Sequence, residues 1–229
     1  MSVQAVILAA GMGTRLGKPW PKPLTPLADG RTIMQQQMDN LVSGFDDIRI
    51  SVVVGFQKDL IMEAFPGVGY VYNELFYETN TNRSLLKALR QSTPGGVLWM
   101  NGDVVFDPKV FERVKPLIDD DQSFICVNTA VVGEEEVKYT VDADGFVDRL
   151  SKTVVDALGE SVGINYVSSA DKATLITRLV DCADGDYFER GIELMVEKDA
   201  ARVVPYDIRD LFAVEVDFEE DLKRANTHL

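Results

Sequence analysis

The chain has 229 residues, 46% of them apolar, with a net charge of −14. That is enough for one large domain or two small ones around a sizeable core. The acidic balance argues against non-specific nucleic-acid binding, which needs basic patches to neutralise phosphates. No apolar run approaches the length of a membrane span, and the first residues do not read as a secretory leader. Cys126 and Cys182 lie far apart, the pattern of reduced, buried thiols in a cytoplasmic protein. The one histidine, His228, stands beside the last residue, so a histidine-based metal site or a Ser–His pair is excluded.

In chain order, Val3 to Ala9 reads as a buried strand bounded by glycine. Thr32 to Leu41 reads as a helix capped by Thr32, and Ile48 to Gly55 as a second strand. "QKDLIMEAF" is a short helix, Gly69 to Asn73 a third strand and Asn82 to Ser92 a helix. Gly95 to Asp103 is a fourth strand ending in a carboxylate, "DPKVFERVKPLI" a helix, and "SFICVNTA" a fifth strand. This alternation as far as Ala130 predicts a parallel sheet with right-handed crossovers. "KYTVDADGFVDRLSK" then reads as a hairpin around "DADG". A strand ("SVGINYVS"), two helices ("ADKATLITRLVDC", "YFERGIELMVE"), the short "ARVVPYD", a strand ("LFAVEVD") and a last helix follow. With no Gly-, Ser- or Pro-rich linker and no repeat, the expectation is a single domain over residues 1–229. Its fold class is α/β: a Rossmann-like three-layer fold with a mostly parallel mixed sheet and a small antiparallel attachment.

The first strand leaves through "LAAGMGTRLGKPWPKPL", Leu8 to Leu24. In an open α/β sheet ligands bind beyond the carboxyl ends of the strands. Small residues at Ala9, Ala10, Gly11 and Gly13 let the backbone approach a ligand, and successive N–H groups there can cradle an anion. Arg15 adds a bidentate phosphate donor and Lys22 a point charge. A P-loop is excluded because Gly-Lys-Ser/Thr is absent, and Leu16 stands where a dinucleotide fingerprint needs its third glycine. Two aspartates end strands elsewhere, Asp103 in "WMNGD" and Asp217 in "FAVEVD", with Glu215 two residues before the latter on the same strand face. Mg2+ takes one or two carboxylates plus substrate phosphates, which suits such a pair, although each aspartate alone also fits a helix cap.

"LAAGMGTRL" followed by "PKPL" resembles the signature of the nucleotidyltransferases that join a nucleoside triphosphate to a phosphorylated acceptor. The resemblance implies that Leu8, Ala9, Ala10, Gly11 and Gly13 wrap the nucleotide and that Arg15 and Lys22 act on its phosphates. It also implies that Asp103 and Asp217, matching the family's "GD" and "EVD", hold the catalytic Mg2+. "TNTNRSLLKAL" is similar to an element of the phosphocholine and phosphonate cytidylyltransferases and implicates Asn80, Asn82 and Ser84 in binding a base or ribose. No histidine or triad is needed, since an acceptor phosphate oxygen is already ionised.

The expected partners are therefore CTP and a small phosphorylated acceptor, phosphocholine-like or a phosphonate, with pyrophosphate released. A cationic acceptor would want an aromatic cage, for which Tyr72, Phe76, Tyr77, Tyr187, Phe188 and Phe212 are candidate walls. Tyr187 and Glu189, with Asp186 nearby, form the most suggestive acceptor cluster. A sugar-1-phosphate enzyme using UTP or dTTP, and a nucleotide-binding regulator without turnover, stay open as alternatives, as does a homo-oligomer.

Overall fold

The computed structural model describes residues 2–130, 132–133 and 135–229. The first strand, β1 (Val3–Ala9), lies in the interior of the main sheet. It is flanked on both sides by parallel neighbours, β2 (Ile48–Val54) and β4 (Val97–Asn101), and β3 (Gly69–Tyr72) extends the sheet beyond β2. Being covered on both faces, β1 is apolar along nearly its whole length. Ala5, Ile7 and Ala9 face one core, Val6 and Leu8 the other.

The helices divide between those two cores. Met34, Met38 and Leu41 of α1 (Ile33–Gly44), Ile61 of α2 (Lys58–Ala64) and Val110, Phe111 and Val114 of α4 (Lys109–Asp119) cover one face. Leu85, Leu86 and Leu89 of α3 (Thr81–Gln91), Leu175 and Leu179 of α5 (Lys172–Asp181), and Phe188, Ile192 and Met195 of α6 (Phe188–Asp199) cover the other. The expected three layers and mostly parallel sheet are present. Thr32 caps α1 as expected, its hydroxyl accepting from the Gln35 N–H at 3.2 Å.

Past Ala130 the topology departs from simple alternation. Strand β6 (Phe124–Asn128) does not pair with β4. The later strand β9 (Gly159–Val167) inserts between them, antiparallel to both. The hairpin of β7 (Lys138–Val141) and β8 (Val147–Ser151) hangs from β9, turning at Asp142, whose carboxylate accepts from the Asp144 and Phe146 N–H groups. The edge strand β10 (Val204–Asp207) runs parallel to β6.

The segment read as one strand from Gly95 to Asp103 breaks at Gly102. After it, β5 (Val104–Phe106) turns out of the main sheet and pairs antiparallel with β11 (Ala213–Glu215), forming a separate two-stranded sheet. This small sheet packs with Leu16, Leu27, Ile33 and α7 (Glu219–Asn226) in a third apolar cluster.

Candidate active site

At the carboxyl end of β1 the chain enters the glycine-rich loop. Gly13 adopts φ +60°, open to glycine at little cost, and a Cβ there would stand 3.0 Å from Lys22 Cβ. The loop is thereby folded back onto "PKPL". Lys22 opens a single 3₁₀ turn, Lys22–Leu24, flanked by Pro21 and Pro23, whose rings restrict the backbone. Its ammonium is nearly buried and lies 2.7 Å from Asp103 Oδ2 and 2.5 Å from Asp217 Oδ1. Arg15 is half exposed and pairs with the other oxygen of Asp217 at 2.6 Å.

The meeting of Asp103 with Asp217, far apart in sequence, is a product of the small sheet. Val104 is registered opposite Glu215, and the Val216 N–H donates to the Asp103 carbonyl at 2.9 Å. The Gly102 N–H donates to the Leu8 carbonyl at 2.9 Å, which seats this corner against the end of β1. Buried amides hold it from below. Gln37 donates to the Asn101 and Val104 carbonyls, both at 2.8 Å, and Gln36 and Asn40 donate to the Phe106 carbonyl.

Burial works against the Lys22 charge. The carboxylates of Asp103 and Asp217 more than offset it and hold the ammonium above the ordinary lysine range. Glu215 is the reverse case: burial, with the Asp103 charge added, pushes its carboxyl well above the usual range despite a 2.8 Å hydrogen bond from Asn101 Nδ2.

These groups line a cleft of about 300 Å³, which also takes in Leu8, Ala9, Gly11, Gly13, Asn80, Tyr187 and Glu189. A second cleft of about 510 Å³ shares Arg15, Glu136, Ser161, Glu215 and Asp217 with it. Most of the residues expected at the site are therefore assembled in one place.

Three are not. Ala10 faces the apolar core under the cleft instead of its lining. Asn82 is fully buried, with Nδ2 donating to the Ala183 carbonyl at 2.6 Å and Oδ1 accepting from the Arg83 N–H. Ser84 Oγ accepts from Asn73 Nδ2 at 3.1 Å, also away from the cleft. The helix starts earlier than the apolar spacing suggested. Asn80 is its cap and Thr81 its first residue, so those two, and not Asn82 and Ser84, face the cleft.

The expected aromatic cage is also not assembled. Of its six candidate walls only Tyr187 lines the cleft. Phe188 is buried edge-on against Trp99, their ring centres 5.6 Å apart.

Sequence reading passed over Thr14, Thr81, Asn101, Glu135, Glu136, Lys152 and Ser161, all in the lining. Asn101 alone carried a local signal, two residues before Asp103 on the same strand.

The donor set suits Mg2+. Asp103 Oδ1 is buried with no hydrogen-bond partner among the described residues, and the site offers hard carboxylate oxygens. Among the described residues no group of three or more His, Cys, Asp or Glu gathers as a metal cage, so the remaining ligands would be substrate and water oxygens. No helix among the described residues is long and apolar enough to cross a membrane.

Known proteins agree with this architecture. Residues 5–175 match the model of the MobA-like NTP transferase domain. A CMP-5'-(3-aminopropyl)phosphonate synthase from Streptomyces rubellomurinus is 40% identical over 121 residues, covering 49% of this chain and 19% of that protein. A bifunctional protein GlmU from Methanococcus maripaludis is 32% identical over 116 residues, covering 48% of this chain and 27% of that one. The matched stretch thus spans about a fifth to a quarter of the length of these two relatives.

Among solved structures, a CTP:phosphocholine cytidylyltransferase from Streptococcus pneumoniae superposes with a TM-score of 0.78 at 19% identity, over 100% of this chain and 99% of that one. An inositol-1-phosphate CTP transferase from T. maritima gives 0.77 at 16% identity, over 95% and 90%. At these identities the likeness is one of fold. The family match covers most of the chain and includes the loop, Lys22 and Asp103: the chain belongs to the MobA-like NTP transferase family of nucleotidyltransferases.

Proposed function

We propose that this protein is a Mg2+-dependent cytidylyltransferase that moves CMP from CTP to a small acceptor, phosphocholine-like or a phosphonate, and releases pyrophosphate. The observation that carries this reading is the Lys22 ammonium bridging Asp103 and Asp217 at the mouth of the Gly11–Gly13 loop. That arrangement combines a cation for the triphosphate with two hard ligands for its metal. The choice of CTP is supported by the phosphonate synthase, whose name states a CMP product, and by the two CTP enzymes of the same fold.

In this reading the loop N–H groups, Arg15 and Lys22 bind the triphosphate and set its α-phosphorus toward the acceptor. Asn80 and Thr81, both in the cleft lining, would contact the nucleoside. An acceptor oxygen, already anionic, attacks the α-phosphorus; the new P–O bond forms as the bond to pyrophosphate breaks. No proton has to be removed from the nucleophile, so the chain's lack of an internal histidine is no obstacle. Lys22 stabilises the charge that develops during transfer. When bound at Asp103 and Asp217, Mg2+ would neutralise triphosphate charge and polarise the α-phosphate.

Pyrophosphate release measured over a matrix of CTP, UTP, dTTP and GTP against phosphorylated and phosphonate acceptors tests this, with product masses identifying the nucleotide. CTP-specific release with a CMP-linked product is expected. Preference for UTP or dTTP with a sugar 1-phosphate would overturn the cytidylyl assignment. Nucleotide binding without turnover on any acceptor would favour a regulator.

A further inference from the structure

The cleft holds two polar groups that the nucleotide machinery leaves unused. Glu189, in the first turn of α6, is 6% exposed, and its Oε2 has no hydrogen-bond partner among the described residues. Ser161, on β9, is 7% exposed, and its Oγ likewise has no partner among the described residues. Both line the cleft together with Glu136. A buried carboxylate oxygen without a donor costs free energy that a donor from a ligand would recover.

The aromatic side of the same region is occupied from within. The Lys152 ammonium stands over the Tyr187 ring, 4.6 Å from its centre, and both residues line the cleft. A second cation seeking that ring face would meet a like charge already seated on it.

Resting on the transferase reading above, we propose that the acceptor carries a primary ammonium group, which Glu189 and Ser161 hold by hydrogen bonds, and that Lys152 on Tyr187 keeps a quaternary ammonium out. The chemistry discriminates between the two head groups. A primary ammonium offers three N–H donors, and a trimethylammonium offers none. The latter is recognised chiefly by aromatic faces, and the only one of the six candidate rings in this cleft is covered by Lys152. Burial pushes the Glu189 carboxyl up to about 7, with Glu136 adding to the rise and Lys152 opposing it, so an incoming cation would draw it back to the charged form.

Three acceptors differing only in the head group test the assignment: phosphoethanolamine, phosphocholine and ethyl phosphate, each with CTP and Mg2+. Phosphoethanolamine is expected to exceed the other two in kcat/KM by about 10²-fold, because a site built around hydrogen bonds rejects analogues that lack them. Glu189→Gln should raise the phosphoethanolamine KM about 10-fold and move the ethyl phosphate KM far less. Lys152→Ala should narrow the gap between phosphocholine and phosphoethanolamine by freeing the ring. Calorimetric titration of the three compounds onto the protein gives a readout independent of turnover.

Equal use or equal binding of phosphoethanolamine and ethyl phosphate overturns the ammonium site while leaving cytidylyl transfer intact. Phosphocholine performing as well as phosphoethanolamine overturns the role given to Lys152. Selective binding of phosphoethanolamine with no transfer from CTP overturns the cytidylyl reading and keeps the ammonium site.

Discussion

Gly163 leaves the space that the Glu215 carboxylate occupies: a Cβ at Gly163 would lie 2.6 Å from Glu215 Oε1 and 2.8 Å from Asn101 Nδ2. Gly163 also holds φ +72°, and the β6–β9 register shifts beside it. Gly163→Ala therefore meets both a strained backbone and a collision within the Asn101–Glu215 pair. A stability loss of about 1–3 kcal/mol is expected in denaturant melts, from the strain alone. Turnover of the folded fraction should also fall, because displacing Glu215, the last residue of β11, shifts Asp217 two residues beyond it. Unchanged turnover would show that Glu215 can shift without disturbing Asp217.

Asp103→Asn and Asp217→Asn keep the side-chain size and remove one charge each from the pair facing Lys22. Either change should lower kcat by about 10²-fold or more, the scale of losing a principal charge-stabilising group. Circular dichroism separates this from unfolding. Near-normal turnover in a folded variant would move the metal site elsewhere.

Lys22 and Arg15 should not be equivalent. The Lys22 side chain is 10% exposed and touches both aspartates, whereas that of Arg15 is 49% exposed and touches one. Screening by water weakens the exposed pair. Lys22→Ala is expected to cost about 10²-fold in turnover and Arg15→Ala only about 10-fold. Without Lys22, Asp103 loses its ion-pair partner and Asp217 keeps only the half-exposed Arg15, so added Mg2+ should raise the Tm of Lys22→Ala more than that of the wild type. Equal Mg2+ shifts in the two proteins would count against a shared Asp103–Asp217 metal site.

Glu189 makes stability depend on pH. Burial raises its folded-state pKa to about 7 from an ordinary 4.5, so between those values the folded protein binds more protons than the unfolded chain. Stability is then fully present below about pH 4.5 and is lost as the pH rises through about 7. Glu136 and Lys152 bear on this group with opposite signs, and Glu189 and the buried Glu215 also act on each other. Glu189→Gln should remove this part of the pH slope. Relative to wild type, the variant gains on going from pH 4 to pH 8, by an amount on the order of 3 kcal/mol at most. Parallel stability curves for the two proteins across that range would show that Glu189 ionises freely in the fold.

What the sequence carried by itself was local. An apolar strand running into Gly11 and Gly13, a lysine set between two prolines, and aspartates ending apolar strands are each written in a few adjacent residues. Period-two and period-3.6 patterns likewise encode most of the elements and the layered class.

The remainder depended on residues distant in the chain. Strand β9 reads the same whether it lies at an edge or at the centre, because buried strands share one composition; its place between β4 and β6 is a tertiary choice. The separate pairing of β5 with β11 brings Asp103 to Asp217, and nothing within either segment announces it. In α3, Asn82 precedes Leu85, Leu86 and Leu89 by three, four and seven residues and Ser84 precedes Ala88 by four, so the helical period puts both on the buried face and leaves the cleft to Asn80 and Thr81. The cage of aromatics dissolved for the same kind of reason: Phe188 found Trp99, and Lys152 took the face of Tyr187. Local pattern sets what each segment can be. Long-range packing decides which side chains share a cleft, because that depends on pairings the neighbouring residues do not encode.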